Sequence, residues 1–447
     1  MATGNRYEFL RIGIETGLAQ KRKTMNPQPT DCLATVQAAL ALRDAVLSSR
    51  EWADVSAALE VRGLSLDEAR RRLRPHIEFD PHTHTIYSDG ILDYRQLLWW
   101  CKAVGLRAVG VTDHDNIDAR IGDAVEEGER LGVRFVPGLE FTVHRLGGRS
   151  WEGLEIGAHF FPPSRFADFI RSAEGTRFCE RFAAPNRLKS EQGWGALERV
   201  NAGFMVPRGL KPIARDELWQ ASGCVDPVCV GTLTVVVLER FFGEGRRDLL
   251  AEFPNTRAIM TYLGKSDFSP PIKAPSQTLD DLARIRAALA DHGIRSTITL
   301  NHPEEWLTKC GLTLTDGSPD LPGIRRLVAL MVLHEPSRTP FSFIELYSSR
   351  NTESSRRLFA ALYEEFREAR ARFFPSLPQL HPIASTDSHR VSGCLDADGR
   401  VQGWVPGEDF VLGIGMVDEA HPAGNLDVPA DYPGADDLLA LMDQCAT

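Results

Sequence analysis

The chain has 447 residues, of which 43% are hydrophobic and 25% charged, and it carries a net charge of −10 at neutral pH. That composition is ordinary for a soluble globular protein and excludes disordered, fibrous and collagen-like classes, while the length accommodates one large α/β barrel with additions. The negative charge excludes a broad basic surface for gripping duplex DNA, because non-specific affinity there comes from neutralising phosphates with Lys and Arg.

Residues 1–30 mix charged and turn-prone residues, end in NPQPT and read as a flexible arm without the apolar core of a signal peptide. From Asp31 to about Leu73 apolar residues recur at helical spacing, and Ser65 with Glu68 forms a capping-box signature before ARRRL. Residues 1–75 are therefore expected to be an arm and a helical extension. A βα rhythm then begins: strand IEFDPHTH, helix DYRQLLWWCKAVG, strand RAVGVTDHD, helix DARIGDAVEEGERLG, and strands VRFVPGLEF and LEIGAHFF. Short apolar strands alternating with amphipathic helices imply parallel pairing, so 76–163 reads as the first part of a barrel. Residues 164–275 lack the alternation and read as an inserted, mostly helical segment. Within it, TLTVVVL at 232–238 is the longest apolar run and far too short to span a bilayer. The alternation resumes over 276–447 with DLARIRAALADHG, STITLNHPEE, FSFIELYSS, a long helix through LFAALYEEF and HPIASTDSH, followed by a Gly- and Pro-rich tail and a short last helix, DDLLALMDQ. Eight cysteines at irregular spacing make no disulfide framework. No membrane association is expected, and a cytoplasmic location is.

Chemistry concentrates at predicted strand ends. His82 and His84, one residue apart, point the same way because a strand repeats every two residues, so both imidazoles can reach one metal. Asp89 follows in an SDG turn, His114 lies in TDHD, Glu140 ends VPGLEF, His159 lies in IGAHFF, His302 in NHP, and Asp387 and His389 in STDSH. In parallel α/β folds the carboxyl ends of the strands open on one face, which predicts that these metal-ligand types converge there. Singly, each has a bland alternative: HxH is a weak motif, SDG commonly marks a turn, and TDHD also reads as an N-cap. Their recurrence at nearly every predicted strand end is what carries the reading. Asp115, in the same TDHD, is a further catalytic candidate. Lys265 in YLGKSDF and Arg350 after FSFIELYSS are candidates for clamping phosphate, with solvated surface cations as the alternative. Trp99 and Trp100 are expected to be packing residues.

The segments HTHTIYSDG, TDHD, GLEF, NHP and TDSH resemble the PHP superfamily, named for polymerase and histidinol phosphatase, over residues 77–390. The inserted segment and its exit, YLGKSDFSPP, look like the branch of nucleotide phosphatases and short-RNA exonucleases that carry a helical lid. The resemblance implies a distorted seven-stranded β/α barrel holding two to three divalent ions. His82, His84, Glu140 and Asp387 would hold the first, Glu140, His159 and His302 the second, and Asp89, His114 and His389 the third. Mixed imidazole and carboxylate ligands suit zinc, manganese or iron. Such a cluster activates water for attack on phosphorus without a protein nucleophile, and the sequence carries neither a cysteine-phosphatase motif nor a Gly-rich loop ending in Lys-Ser or Lys-Thr. The expected function is hydrolysis of a small phosphomonoester, nucleotide-type substrates being favoured. A phosphodiesterase for short RNA or a cyclic phosphate, and a non-catalytic metal-binding regulatory module, are the alternatives. No protein partner is legible. The insertion is expected to leave and rejoin the barrel at its catalytic mouth and to act as a lid.

Overall fold

A computed structural model describes residues 29–146, 149–253, 256–265, 277–304, 307, 310–333, 341–348, 353–377, 379–389, 394–395, 401–402 and 428–447. The arm at 1–28 and Arg350 lie outside the described residues.

Three helices open the described chain: α1 (Pro29–Ser48), α2 (Trp52–Val61) and α3 (Leu66–Arg72). Ser65 caps α3 by accepting from Glu68 N at 3.1 Å. The reciprocal half of the expected capping box is absent, because the Glu68 carboxylate instead pairs with Arg71 and Arg72. These helices are not a loose accessory: Val36, Leu40, Leu59 and Leu73 share one hydrophobic core with the barrel helix α4 (Tyr94–Val104), including its fully buried Trp99 and Trp100.

The barrel has seven strands: β1 (Phe79–Thr83), β2 (Ala108–Val111), β3 (Arg134–Leu146), β4 (Arg149–Phe161), β5 (Arg295–Leu300), β6 (Phe343–Ser348) and β7 (His381–Ser385), neighbours in that order. A parallel bridge between Thr83 and Ser388, with His84 N donating to Ser388 O at 2.9 Å, brings β7 back against β1 and nearly closes the sheet. Helix α5 (Ile121–Leu131) joins β2 to β3, and both α4 and α5 end at glycines in the left-handed conformation, Gly105 and Gly132, which an L side chain would strain.

One strand departs from the expected all-parallel pattern. β4 runs antiparallel to both β3 and β5, because only two residues separate β3 from β4, too few for the crossover that a parallel pair requires. Phe161 at the end of β4 therefore packs with Phe79, Ala108, Val136, Phe343 and Ile383, residues from the beginnings or lower halves of the parallel strands. The last helix, Ala435–Cys445, plugs that base through Leu438 and Met442.

The inserted segment consequently leaves from the base. Its helices are α6 (Pro163–Arg171), α7 (Ala173–Val200), α8 (Arg215–Ala221), α9 (Val230–Gly243), α10 (Arg247–Glu252) and α11 (Thr256–Lys265). The chain returns through α12 (Leu279–Ala290), and α13 (Leu321–Leu333), α14 (Glu353–Phe373) and α15 (Ala435–Cys445) complete the helices, with a two-stranded ribbon of β8 (Cys394–Leu395) and β9 (Val401–Gln402). Phe166, Phe169, Phe178 and Phe182 pack in the barrel core, whereas residues from Ala196 to Leu263 bury one another in a separate core. The expectation that the insertion starts at the mouth is thus not met, and its exit at 266–275 lies outside the described residues.

Gly138 shows how tightly β2, β3 and β4 meet: a Cβ there would come 2.7 Å from Ala158 O and 2.8 Å from Val111 O. Both neighbours are backbone and cannot swing aside. Gly138→Ala should cost about 1–3 kcal/mol or more from overpacking, read as a lower urea midpoint in the metal-free protein.

Candidate metal centre

The C-terminal ends of the parallel strands bring eight of the nine candidate ligands into three groups, His84–Asp89–His114–His389, His82–Glu140–His302 and His82–His84–Asp387, with potential ligand atoms within 4.8 Å of one another in each. The groups share His82 and His84, so they form one continuous centre. The HxH spacing acts as expected, with both side chains buried and their Nε2 atoms 3.0 Å apart. His84 stacks on two further imidazoles, its ring centroid 4.4 Å from that of His114 and 4.1 Å from that of His389.

Local backbone explains the aim of these side chains. His114 pairs with Glu140 as a parallel bridge, Asp115 N donating to Glu140 O at 2.8 Å, and the same turn brings His114 Nδ1 within 3.0 Å of Glu140 Oε2. His302 and Asp387 sit in the left-handed region, at φ 43 and 51. Each such residue without glycine costs about 1–2 kcal/mol, and both sit where a strand must stop and turn its last side chain inward. Asp113 is not among the groups; it accepts from Thr85 N, Thr85 Oγ1 and Ser88 Oγ and ties the β1 and β2 loops together.

The donor set fits divalent cations. Two imidazole nitrogens 3.0 Å apart can share only one proton, and Asp89 Oδ1 and Glu140 Oε2 lie against imidazoles, His389 at 3.3 Å and His114 at 3.0 Å, without an aligned hydrogen bond among the described residues. Buried carboxylate oxygens left so are costly, and a cation between them and the imidazoles satisfies both. The proton affinities reflect the same crowding. Burial, then the charges of His389 and His114, hold His84 down at about 3. Burial also opposes protonation of His114 and His302, but Glu140 and Asp89 push the first up to about 10, while Asp387, Glu345 and Glu140 push the second up to about 9. Protons stand where cations would compensate the carboxylates, so cation binding would displace them.

His159 is the exception, and the direction of β4 is the reason. Its register partners are Gly138 and Thr297, whereas Gly157 pairs with Glu140 and Thr299, so His159 lies two residues further down the barrel than the level of Glu140. There its Nε2 contacts Pro81 O at 2.6 Å, and burial lowers its pKa to about 4.

Glu345, on β6, is a residue that the sequence reading passed over. It is fully buried; its Oε1 lies 2.8 Å from His82 Nδ1, its Oε2 accepts from His302 N at 2.9 Å, and Ser385 Oγ donates to it as well. A carboxylate behind an imidazole fixes the ring and its tautomer, and Glu345 does so for His82 while holding the backbone of His302. The available signal was a lone carboxylate inside the apolar strand FIEL. Asn301, which donates to Glu140 Oε1 at 2.7 Å, was likewise missed.

Asp115 faces away from the groups: its carboxylate accepts from Thr142 N and Thr142 Oγ1, both at 2.9 Å, and pairs with Lys189 of α7 at 3.3 Å. Those partners occupy the lone pairs that proton transfer would need. A second contact from the insertion lies nearby, where Gly223 approaches so closely that a Cβ would come 2.5 Å from Ile86 Cδ1 in the loop after β1. Lys265 ends α11, and its side chain lies outside the described residues, as does Arg350. Among the described residues no helix is long and apolar enough to cross a membrane.

No family model matches the chain. Over 79 residues it is 30% identical to a 5'-3' exoribonuclease from Haemophilus influenzae, a stretch amounting to 18% of this chain and 26% of that protein. The match thus spans about a quarter of that relative's length. Among solved structures, a candidate metal-dependent phosphoesterase from Bifidobacterium adolescentis is similar with a TM-score of 0.45 and 17% identity, over 73% of this chain and 95% of that one. An amidohydrolase from Chromobacterium violaceum, solved with bound sulfate and no metal, is similar with a TM-score of 0.42 and 17% identity, over 70% of this chain and 87% of that one. None of these likenesses is close enough to carry a function across by itself.

Proposed function

We propose that this protein is a metal-dependent phosphoester hydrolase of the PHP type, acting on a small phosphomonoester with nucleotide-type substrates favoured. The observation that carries this reading is the continuity of the three ligand groups through His82 and His84. Divalent ions of zinc, manganese or iron held there would lower the pKa of an attacking water and neutralise charge on the phosphoryl and leaving oxygens. His82, His84 and Asp387 would hold one ion; His302 would hold a second with Glu140, and Asp89, His114 and His389 a third. His159 stays a candidate for the second, although its present contact is a backbone carbonyl.

The chain's own residues do the rest. Glu345 fixes His82 and His302, Asn301 orients Glu140, and the strands hold all of them before substrate arrives, the preorganisation on which electrostatic stabilisation depends. We read 164–275 as a lid, supported by the contacts of Lys189 and Gly223 with the loops that carry His114 and Ile86. Lys265 and Arg350 remain proposed phosphate contacts. The stretch shared with an exoribonuclease favours one second reading, a phosphodiesterase for short RNA.

The test is a panel of nucleoside monophosphates and bisphosphates, sugar phosphates, histidinol phosphate, di- to pentaribonucleotides, an aryl phosphate and an acyl amide. Phosphomonoesters should be hydrolysed, chelation should abolish the reaction, and Mn(II) or Zn(II) should restore it. Persistent turnover after chelation, or a purified protein without bound transition metal, would remove the mechanism; preference for the oligoribonucleotides would select the second reading, and for the amide neither.

A further inference from the structure

Both legs of the insertion meet the barrel at one carboxylate. The outgoing leg is α7, whose Lys189 Nζ lies 3.3 Å from Asp115 Oδ2 and donates to His114 O at 3.3 Å. From Ala173 to Lys189 the helix rises roughly 24 Å at 1.5 Å per residue, enough to carry the chain from the barrel base to its mouth. The returning leg brings Gln277, whose side-chain amide, turned to the orientation that satisfies its neighbours, donates to Asp115 Oδ1 at 3.2 Å and to Thr142 O at 2.9 Å, while Gln277 O accepts from His144 N at 2.9 Å. Asp115 is itself held at φ 50, a left-handed conformation that Asp adopts more readily than most residues, and the converging partners hold its carboxylate in place.

The residue that this arrangement controls is the one before Asp115. His114 carries its imidazole between Glu140 and Asp89, at 3.0 and 3.8 Å, and its carbonyl is the group that Lys189 grips. The ion pair is not a solvated surface contact, since the side chains of Lys189 and Asp115 are only 22% and 10% exposed, so solvent screens it less than an exposed pair. At 3.3 Å both Lys189 contacts are at the long end of hydrogen bonding.

We infer that Asp115 and Lys189 are positioning residues through which docking of the insertion sets the affinity of the His84–Asp89–His114–His389 group for its divalent cation. The inference rests on the metal-centre reading above and adds a direction of control to it: the segment that covers the mouth also completes the outermost ligand group. A substrate that draws the insertion down would then tighten that cation, and release of product would loosen it.

The experiment uses the full chain and titrates Mn(II) alone, by calorimetry, into metal-stripped wild type, Lys189→Met, Lys189→Arg, Asp115→Asn and the Lys189→Met/Asp115→Asn double variant. The weakest Mn(II) step should weaken about ten- to a hundredfold in each of Lys189→Met and Asp115→Asn, the range for losing a group that orients a metal ligand. The tighter steps should stay unchanged and report that the barrel is folded. Lys189→Arg should recover most of the loss, and the double variant should be no worse than the stronger single one, as members of one contact behave. With an aryl phosphate, kcat should fall more than KM rises.

Unchanged Mn(II) steps in both single variants would overturn the inference. So would a Lys189→Met variant that binds all its Mn(II) normally and only raises KM for the nucleotide, because Lys189 would then be a substrate contact. Wild type that binds Mn(II) in graded steps but hydrolyses no phosphoester would sink the proposed function alone and leave this test standing; wild type that binds no Mn(II) would sink both.

Discussion

Substituting His84 with Ala should reduce phosphoester turnover by at least about a hundredfold, the scale on which deletion of one electrostatic stabiliser acts, and should leave fewer bound metal equivalents. His84 is expected, together with His82, to be among the most damaging single losses, because each belongs to two of the three ligand groups. The His84 ring also stacks on those of His114 and His389, so its removal takes a packing partner from both. The metal-free variant should still fold, since the hydrophobic core does not run through His84. Metal content by elemental analysis, kcat on the best substrate and far-UV circular dichroism decide the matter together. Full turnover with one metal equivalent missing would show that the centre is not where the reaction happens. Lost turnover with an intact fold would exclude a purely regulatory role.

Glu345→Ala should damage both stability and metal binding, although Glu345 belongs to none of the three groups. The change strands His82 Nδ1 and His302 N, which face its two oxygens at 2.8 and 2.9 Å in a fully buried setting. Breaking a buried charge pair by removing one partner costs about 3–5 kcal/mol, and losing the carboxylate behind a ligating histidine weakens metal binding about ten- to a hundredfold. Glu345→Gln should fall between wild type and Glu345→Ala in both respects, because one amide oxygen can still receive His82 while the amide nitrogen opposes His302 N. Chelator competition and thermal unfolding of the metal-free protein are the measurements. Wild-type metal retention in Glu345→Ala would show that His82 and His302 are held by packing alone.

The parts of the centre that could be read from the sequence are those that end parallel strands. HxH at 82 and 84 needed only the two-residue repeat of a strand, and His114, Glu140, His302, Asp387 and His389 needed only the rule that such strands open on one face. His159 obeys the same local pattern, yet the pattern carries no strand direction: an antiparallel β4 reads like a parallel one until its register with Gly138 and Thr297 is known. The same reversal explains why the insertion leaves from the base near Phe161. Glu345 and Lys189 were illegible for another reason. A carboxylate in a strand and a lysine on a charged helix gain meaning only from partners distant in sequence: His82, 263 positions before Glu345, and Asp115, 74 before Lys189. The N-terminal helices were legible as helices through their spacing, but their burial against α4 depends on tertiary packing that periodicity does not specify.

The separate core formed by residues from Ala196 to Leu263 also bears on how such a protein can change over generations. Apolar side chains there are buried against one another, whereas Phe166 to Phe182 belong to the barrel. Drift in the outer helices therefore spares the strands that carry the histidines, and drift in the strands does not unsettle the outer helices. Under the lid reading, a lineage could exchange what it hydrolyses by rewriting the outer helices while inheriting its metal chemistry unaltered. Asp115 with Lys189 is one point where the two histories must stay matched.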